Sequence, residues 1–356
     1  MYQLLAYIKF LFRSTNQHGV HSPFVYNLLT KCLYKREKRP AFDIISAYLK
    51  AINQDHRIIQ VKDFGAGSRV FKSNARKVSD IAKNAGISRK RANLLNKLTS
   101  YLKINSALEL GTSVGISSAA IAAGNNVKLI TLEGCPETAG IASEYFERFE
   151  VKNIEVRIGE FELLLRDWRG ESPLPIAIGT EGELKYQAPN SKFQTRREKE
   201  PPAHKTEPQT TNHEQHTTYN SPSPLPIAIG TEGELKNQSQ ESSNSSKPEP
   251  QTTNHKQHTT FNPQLTTVNP QLTTDLIYFD GNHQKEATLK YFKVLLSMGH
   301  NESVFIFDDI HWSRGMEEAW EEIKQYPEVS VSIDTFFWGI VFFRKEQEKQ
   351  HFTIRL

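Results

Sequence analysis

The chain has 356 residues, room for one large α/β domain or two smaller ones, and a net charge of +4. The charge is lopsided, because residues 1–105 carry 20 Lys and Arg against 5 Asp and Glu. Mean hydropathy is −0.54, and the absence of any apolar run near the roughly 20 residues of a bilayer span excludes a helical membrane protein.

The opening "MYQLLAYIKFLF" is apolar but lacks a basic leader and a small-residue cleavage site. It is predicted to be a helix packed on the domain rather than a signal peptide. Ser22-Pro23 has the pattern of an N-cap followed by proline in the first helical turn, so "FVYNLLTKCLY" is predicted to be helical. A first glycine-bearing stretch, "VKDFGAGSRV" at 61–70, then offers Asp63, Gly65 and Gly67 after a short apolar run. "ISRKRANLLNKLTSYL" places Ile87, Leu94, Leu95, Leu98 and Leu102 on one helical face behind a Ser88 cap. Cys32 and Cys135 are the only cysteines and form no metal-like cluster. They point to a reducing, cytoplasmic setting.

From residue 106 the period changes. "SALEL" (106–110) and "VKLITLE" (127–133) are predicted strands flanking the small-residue helix "GISSAAIAAG". Helix "ETAGIASEYFERF", strand "NIEVRIG" and helix "EFELLLRDW" follow. Much further on come strand "LIYFD" (276–280), helix "ATLKYFKVLLSMG", strand "SVFIFDD" (303–309) and helix "GMEEAWEEIKQY". "VSVSIDTFF" and "WGIVFFRK" close the series as two tightly joined strands, expected to form an antiparallel edge. Alternating strands and helices predict an α/β fold around an open, mostly parallel sheet.

Residues 171–274 break the pattern. They are rich in Ser, Thr, Pro, Gln and Asn, and they repeat themselves almost verbatim. "SPLPIAIGTEGELK" at 172–185 returns at 223–236, "EPQTTNH" at 207 returns at 249, and "NPQLTT" at 262 returns at 269. The spacings differ while the copies are nearly identical, the reverse of a structural solenoid. Such a composition buries too little apolar surface to offset the entropy of ordering, so a disordered insertion is expected. Without it about 250 residues remain, a normal size for one α/β domain with added helices.

Two glycine stretches compete for a nucleotide. The one at 111–115 has the required context. A strand ends at Leu110, Gly111 permits a tight turn, Gly115 lets the next helix approach, and small Thr112 and Ser113 leave room over the helix start. Glu133 ends the next strand 22 residues after Gly111, where a carboxylate can accept two ribose hydroxyls. The stretch at 65–67 has no second strand ending in an acid at that distance and is read as a turn.

"LELGTSVGIS" resembles the first motif of class I S-adenosylmethionine-dependent methyltransferases, and "TLEG" resembles their second. "RIGEFELLL" resembles the stretch that borders the adenine, and "IYFDGNH" and "FIFDDIHWSRGM" resemble the ends of the fourth and fifth strands. The likeness extends to an N-terminal extension, "HGVHSPFVY…DFGAGS", similar to that of an uncharacterised bacterial branch of these enzymes.

The resemblance implies a Rossmann-like methyltransferase sheet with an antiparallel last strand. Its expected divisions are an N-terminal helical extension (1–104), a first half (105–170), the insertion (171–274) and a second half (275–356). It implies S-adenosylmethionine as cofactor, held by Glu109, Gly111, Thr112, Ser113, Gly115, Glu133, Gly159, Glu160 and Asp280. The separation of 28 residues between Asp280 and Asp308 also resembles that in cation-dependent, catechol-type O-methyltransferases. By that likeness Asp280, Asp308 and Asp309 are candidate ligands of a divalent cation such as magnesium. Asp309 departs from the Asn of that family, and His283 stands where it has a catalytic lysine. His283 is therefore the candidate base, with Asp280 beside it. His311 and Trp312 are candidate walls of the acceptor pocket. The aromatics of the final hairpin (Phe336, Phe337, Trp338, Phe342 and Phe343) are expected in the core or on a homodimer face.

The implied reaction is methyl transfer to oxygen of a small molecule. Two alternatives stay open at this point. The basic segment could dock RNA or another acidic substrate, making the chain an RNA or protein methyltransferase. The fold could also act as a non-catalytic interaction module.

Overall fold

A computed structural model describes residues 2–62, 71, 73–168 and 273–356. The expected insertion, up to residue 272, and the glycine stretch at 63–70 lie outside the described residues.

The chain begins with α1 (Tyr2–Arg13), α2 (Pro23–Leu28) and α3 (Pro40–Ile52), and α2 runs on into one wider helical turn at 29–33. The Ser22 hydroxyl accepts the Val25 N–H, the cap that the Ser-Pro pair predicted. A short antiparallel pair follows, β1 (Ile58–Gln60) and β2 (Ala75–Lys77), so the N-terminal extension is not purely helical. Three-residue strands with one buried side chain, Ile59, are too short to leave a periodic signature. Next come α4 (Val78–Ala85) and α5 (Arg89–Tyr101), the latter capped by Ser88 as predicted.

The sheet proper contains β3 (Ser106–Leu110), β4 (Lys128–Glu133), β5 (Ile154–Ile158), β6 (Leu276–Phe279), β7 (Val304–Asp308), β8 (Val331–Asp334), β9 (Trp338–Phe342) and β10 (Gln350–Thr353). Helices α6 (Ile116–Ala122), α7 (Pro136–Arg148), α8 (Phe161–Trp168), α9 (Lys285–Leu295) and α10 (Arg314–Gln325) connect them. The strand order is β10-β8-β9-β7-β6-β3-β4-β5. All neighbours run parallel except β9, which is antiparallel to both β7 and β8.

This corrects the expected antiparallel edge. β9 reads "WGIVF", is buried at every position and inserts between β7 and β8. The edge is β10, "QHFT", paired parallel to β8. Its polar alternation carries too little apolar signal to be read as a strand.

Apolar side chains cover both faces of the sheet. One core gathers α3, α5 and α6 over it, with Tyr48, Leu95 and Ile121 fully enclosed. The other gathers α9 and α10, with Phe292, Phe305 and Trp320. α6 is buried all round, which explains its run of small residues. The buried Asn96 amide of α5 donates to Ala120 O at 2.9 Å and Ala123 O at 2.8 Å, satisfying carbonyls at the C-terminal end of α6. Trp338, Phe342, Phe343 and Phe336 are buried, so the hairpin aromatics are core and only Phe337 is substantially exposed.

Part of the positive charge of the N-terminal segment has partners within the fold. Arg57 pairs with Asp55 and Glu144, and Lys97 donates to Cys32 O at 2.9 Å and Lys35 O at 2.8 Å. Among the described residues no helix is long and apolar enough to cross a membrane.

Candidate active site

The strand order reverses between β3 and β6, and the loops after these strands diverge there to opposite faces. In open α/β sheets that crevice binds ligands. Here it opens into a cavity of about 390 Å³, lined among others by Gly111, Ser113, Glu133, Asp280 and His283.

Gly111 makes the crevice possible. Its φ is 102°, and a Cβ there would lie 2.6 Å from Asp280 O and 2.8 Å from Asp280 C. Only glycine lets the loop after β3 cross so close to the end of β6. Gly115 has φ 79° and a Cβ on it would meet Phe146 Cε1 and the Tyr48 hydroxyl, both at 2.6 Å. Tyr48 donates from that hydroxyl to Val114 O at 2.8 Å, so α3 of the extension braces the loop from behind.

Glu133 stands at the tip of β4. Its Oε2 accepts the Ser113 N–H at 2.7 Å and its Oε1 accepts the Cys135 N–H at 2.8 Å. Burial raises its pKa, and those backbone donors counter the rise. Each carboxylate oxygen has further acceptor capacity toward the cavity. Gly159 and Glu160 line the same end.

Three residues of the implied cofactor set serve the scaffold instead. Glu109 is completely buried, and its Oε2 accepts from Thr131 Oγ1 at 2.6 Å and from the Ser118 hydroxyl. Burial pushes its carboxyl up to about 7 against those hydroxyls. Thr112 is also buried, with its hydroxyl 2.6 Å from that of Thr131, so this chain of side chains ties the loop to β3 and β4. Neither residue lines the cavity, and Gly115 shapes the helix start without lining it.

The acidic end is assembled from β6, β7 and α5. Asp280 lines the cavity, and burial and then the neighbouring Asp308 hold its pKa well above the usual carboxylate range. Asp308 is 3% exposed. Its Oδ1 accepts from Arg91 Nη1 at 3.2 Å and from the Asp309 N–H at 2.9 Å, and its Oδ2 accepts the Tyr278 hydroxyl at 3.0 Å. Burial, with Asp308 next, pushes Asp309 up to about 6. Asp309 has φ 54°, a left-handed geometry that Asp tolerates, and its N–H also bonds Phe337 O at 2.8 Å.

A magnesium site would need these three carboxylates to turn open lone pairs toward one point. Asp308 instead accepts two donors on Oδ1, one of them the Arg91 guanidinium, and one on Oδ2, so its remaining lone pair lies beside a cation that repels a second one. Among the described residues no three His, Cys, Asp or Glu stand in a metal-holding arrangement. The residues do not fit the cation that the resemblance implied. Spacing in the chain could not reveal this, because Arg91 and Tyr278 come from other elements.

His283 follows Asn282, whose φ of 53° turns the chain after β6. The imidazole lines the cavity, with its ring centroid 6.4 Å from that of Trp312. It makes no hydrogen bond to any described residue, and Asp309 lies within electrostatic reach. Trp312 lines the cavity as expected, but His311 does not.

His311 Nδ1 is 2.7 Å from Glu317 Oε1, Nε2 is 3.0 Å from Asp334 Oδ2, and the ring stacks on Phe336 at 5.1 Å. Burial lowers its pKa, but Asp334 and Glu317 outweigh burial and the net shift is upward. A folded pKa raised above the unfolded value of 6.5 contributes stability that is complete below that value and lost as pH rises through the folded one. His311→Gln is expected to cost about 2 kcal/mol at pH ~6. Urea unfolding at pH ~6 and ~9 should show the gap between variant and wild type shrinking. A gap that stays constant would mean that His311 is not held as the cation.

The strand order, the antiparallel β9 and the cavity at the switch point define a Rossmann-like, doubly wound α/β fold. No protein-family model matches the chain, and no curated protein matches it. Solved structures do. An S-adenosylhomocysteine-bound methyltransferase from Podospora anserina is similar at 11% identity, with 92% of this chain and 97% of that one covered and a TM-score of 0.46. An O-methyltransferase from Bacillus cereus, in complex with S-adenosylhomocysteine, is 15% identical over 90% and 95%, with a TM-score of 0.40. An O-methyltransferase from Streptomyces achromogenes involved in tomaymycin synthesis, in complex with S-adenosylmethionine, is 11% identical over 93% and 99%, with a TM-score of 0.41.

Proposed function

We propose that this chain is an S-adenosylmethionine-dependent methyltransferase that methylates an oxygen of a small molecule. The observation that carries the reading is Glu133. Its carboxylate is held at the tip of β4 by the Ser113 and Cys135 N–H groups, with Gly134 and Thr138 as further donors, beside the Gly111 crossover. Its two oxygens are then placed for two adjacent ribose hydroxyls. Gly159, Glu160 and Asp280 line the same cavity, where the first two would border the adenine and Asp280 would face the reacting end. A small acceptor suits the cavity, whose lining includes His283, Trp312 and Arg91.

In the reaction an acceptor oxygen attacks the methyl carbon of the sulfonium. The carbon–sulfur bond breaks, its electron pair stays on sulfur, and a neutral thioether leaves. His283 takes the hydroxyl proton as the new oxygen–carbon bond forms. The methyl group arrives activated, so holding oxygen, carbon and sulfur in line supplies much of the rate.

Calorimetric titration of the full chain with S-adenosylmethionine tests the reading. Wild type is expected to bind in the low micromolar range, and Glu133→Ala at least about tenfold more weakly. Folded wild-type protein that gives no binding heat at about 1 mM cofactor would overturn it.

A further inference from the structure

We propose that Arg91 fills the cation position at the acceptor end of the cavity, so that the guanidinium, not a divalent metal, holds the acceptor oxygen. The inference rests on the methyltransferase reading above for the identity of the acceptor end, but its evidence is separate.

Arg91 sits in the first turn of α5, three residues after the Ser88 cap, and is carried to the sheet by an element outside the cofactor motifs. Its Nη1 donates to Asp308 Oδ1 at 3.2 Å. Its guanidinium carbon lies 4.9 Å from the centroid of the Phe337 ring. Two contacts, one on β7 and one in the turn between β8 and β9, therefore fix the group in place. A delocalised, weakly hydrated guanidinium tolerates this partial burial better than an ammonium would.

The same guanidinium has capacity left over. It carries five N–H donors in a fixed fork. Among the described residues only Asp308 accepts from it, and Nε and Nη2 have no acceptor. Arg91 lines the cavity together with Asp280, Asp309, His283 and Trp312. Unused donors on a pinned cation at the wall of a cavity call for an oxygen on the ligand. The acceptor is thus a compound whose oxygen is anionic, or becomes so as His283 removes its proton. Arg91 would stabilise that charge until the methyl group is transferred.

The partners of Asp308 are the Arg91 guanidinium, the Tyr278 hydroxyl and the Asp309 N–H. A metal would have to displace Arg91 from it and then share the cavity wall with that displaced positive charge.

The test uses Mn²⁺ alone, titrated onto the full chain and followed by electron paramagnetic resonance of the free ion. Wild type and Arg91→Lys are expected to leave Mn²⁺ free up to about 1 mM. A second arm measures activity: Arg91→Met, which keeps the length but not the charge, should lower kcat/KM at least about tenfold for any hydroxyl acceptor that wild type methylates, with cofactor affinity within about twofold of wild type. Wild-type binding at or below about 100 µM that is lost in Asp308→Asn would overturn the proposal. So would an Arg91→Met protein, folded by circular dichroism, whose kcat/KM stays within about threefold of wild type, because the guanidinium would then not hold the acceptor oxygen. If Arg91→Met does not fold, the comparison of wild type with Asp308→Asn decides alone. The cofactor titration on the same samples is a separate readout, so a failure of the methyltransferase reading cannot be mistaken for a failure of this one.

Discussion

Gly111→Ala lowers the melting temperature by roughly 6–12 °C, the expected result of a stability loss of about 3 kcal/mol in a domain of this size. Two costs combine. A side chain at φ 102° is strained, at about 1–3 kcal/mol. The new Cβ would also lie 2.6 Å from the Asp280 carbonyl oxygen, backbone that cannot swing aside as a flexible side chain would. Forcing β3 and β6 apart there adds about 1–3 kcal/mol. The same displacement pulls Ser113 away from Glu133 Oε2, so cofactor affinity should fall together with stability. Differential scanning calorimetry, with cofactor titration below the transition, checks both. A melting temperature within about 2 °C of wild type would mean that the crossover is looser than its geometry implies.

His283→Ala should lower kcat by about 10²- to 10⁴-fold with any hydroxyl acceptor that wild type methylates. The imidazole lines the cavity and has no hydrogen-bond partner among the described residues, so nothing in the fold is expected to collapse without it. Cofactor affinity should stay within about twofold, since Glu133 and the Gly111 loop are untouched. The loss should shrink as pH rises, because a more ionised acceptor needs no base. Steady-state release of S-adenosylhomocysteine from about pH 6 to 10 separates the roles. A kcat within about threefold of wild type throughout would leave positioning as the whole of catalysis and remove His283 from the proton path.

Legibility differed along the chain for reasons that can be assigned to particular residues. Ser22 and Ser88 were readable as caps because an N-cap bond closes within three residues. β3, β4, β6 and β7 were readable because parallel strands covered on both faces are continuous apolar runs. Gly111 and Glu133 were readable because a loop, a helix and a strand fix their spacing. β1, β2 and β10 were not, since short or edge strands need little apolar surface. Thr112 and Glu109 lie within the right motif, yet their side chains point into the scaffold. The motif identifies the loop, while backbone direction decides which of its side chains reach the cavity.

The sequence by itself determined the α/β alternation and the glycine loop with its acid. These follow from local periodicity and composition, which act over a few residues at a time. Only the tertiary structure decided that β9 lies inside the sheet, that His311 is pinned between Glu317 and Asp334, and that Arg91 stands among the carboxylates. Asp308 and Arg91 are separated by 217 positions, and their pairing at 3.2 Å depends on how α5 packs on α6. An aspartate in a motif looks the same whether its neighbour in space is a metal or a guanidinium. The electrostatics of a site belong to the groups that meet in it, and the fold selects those.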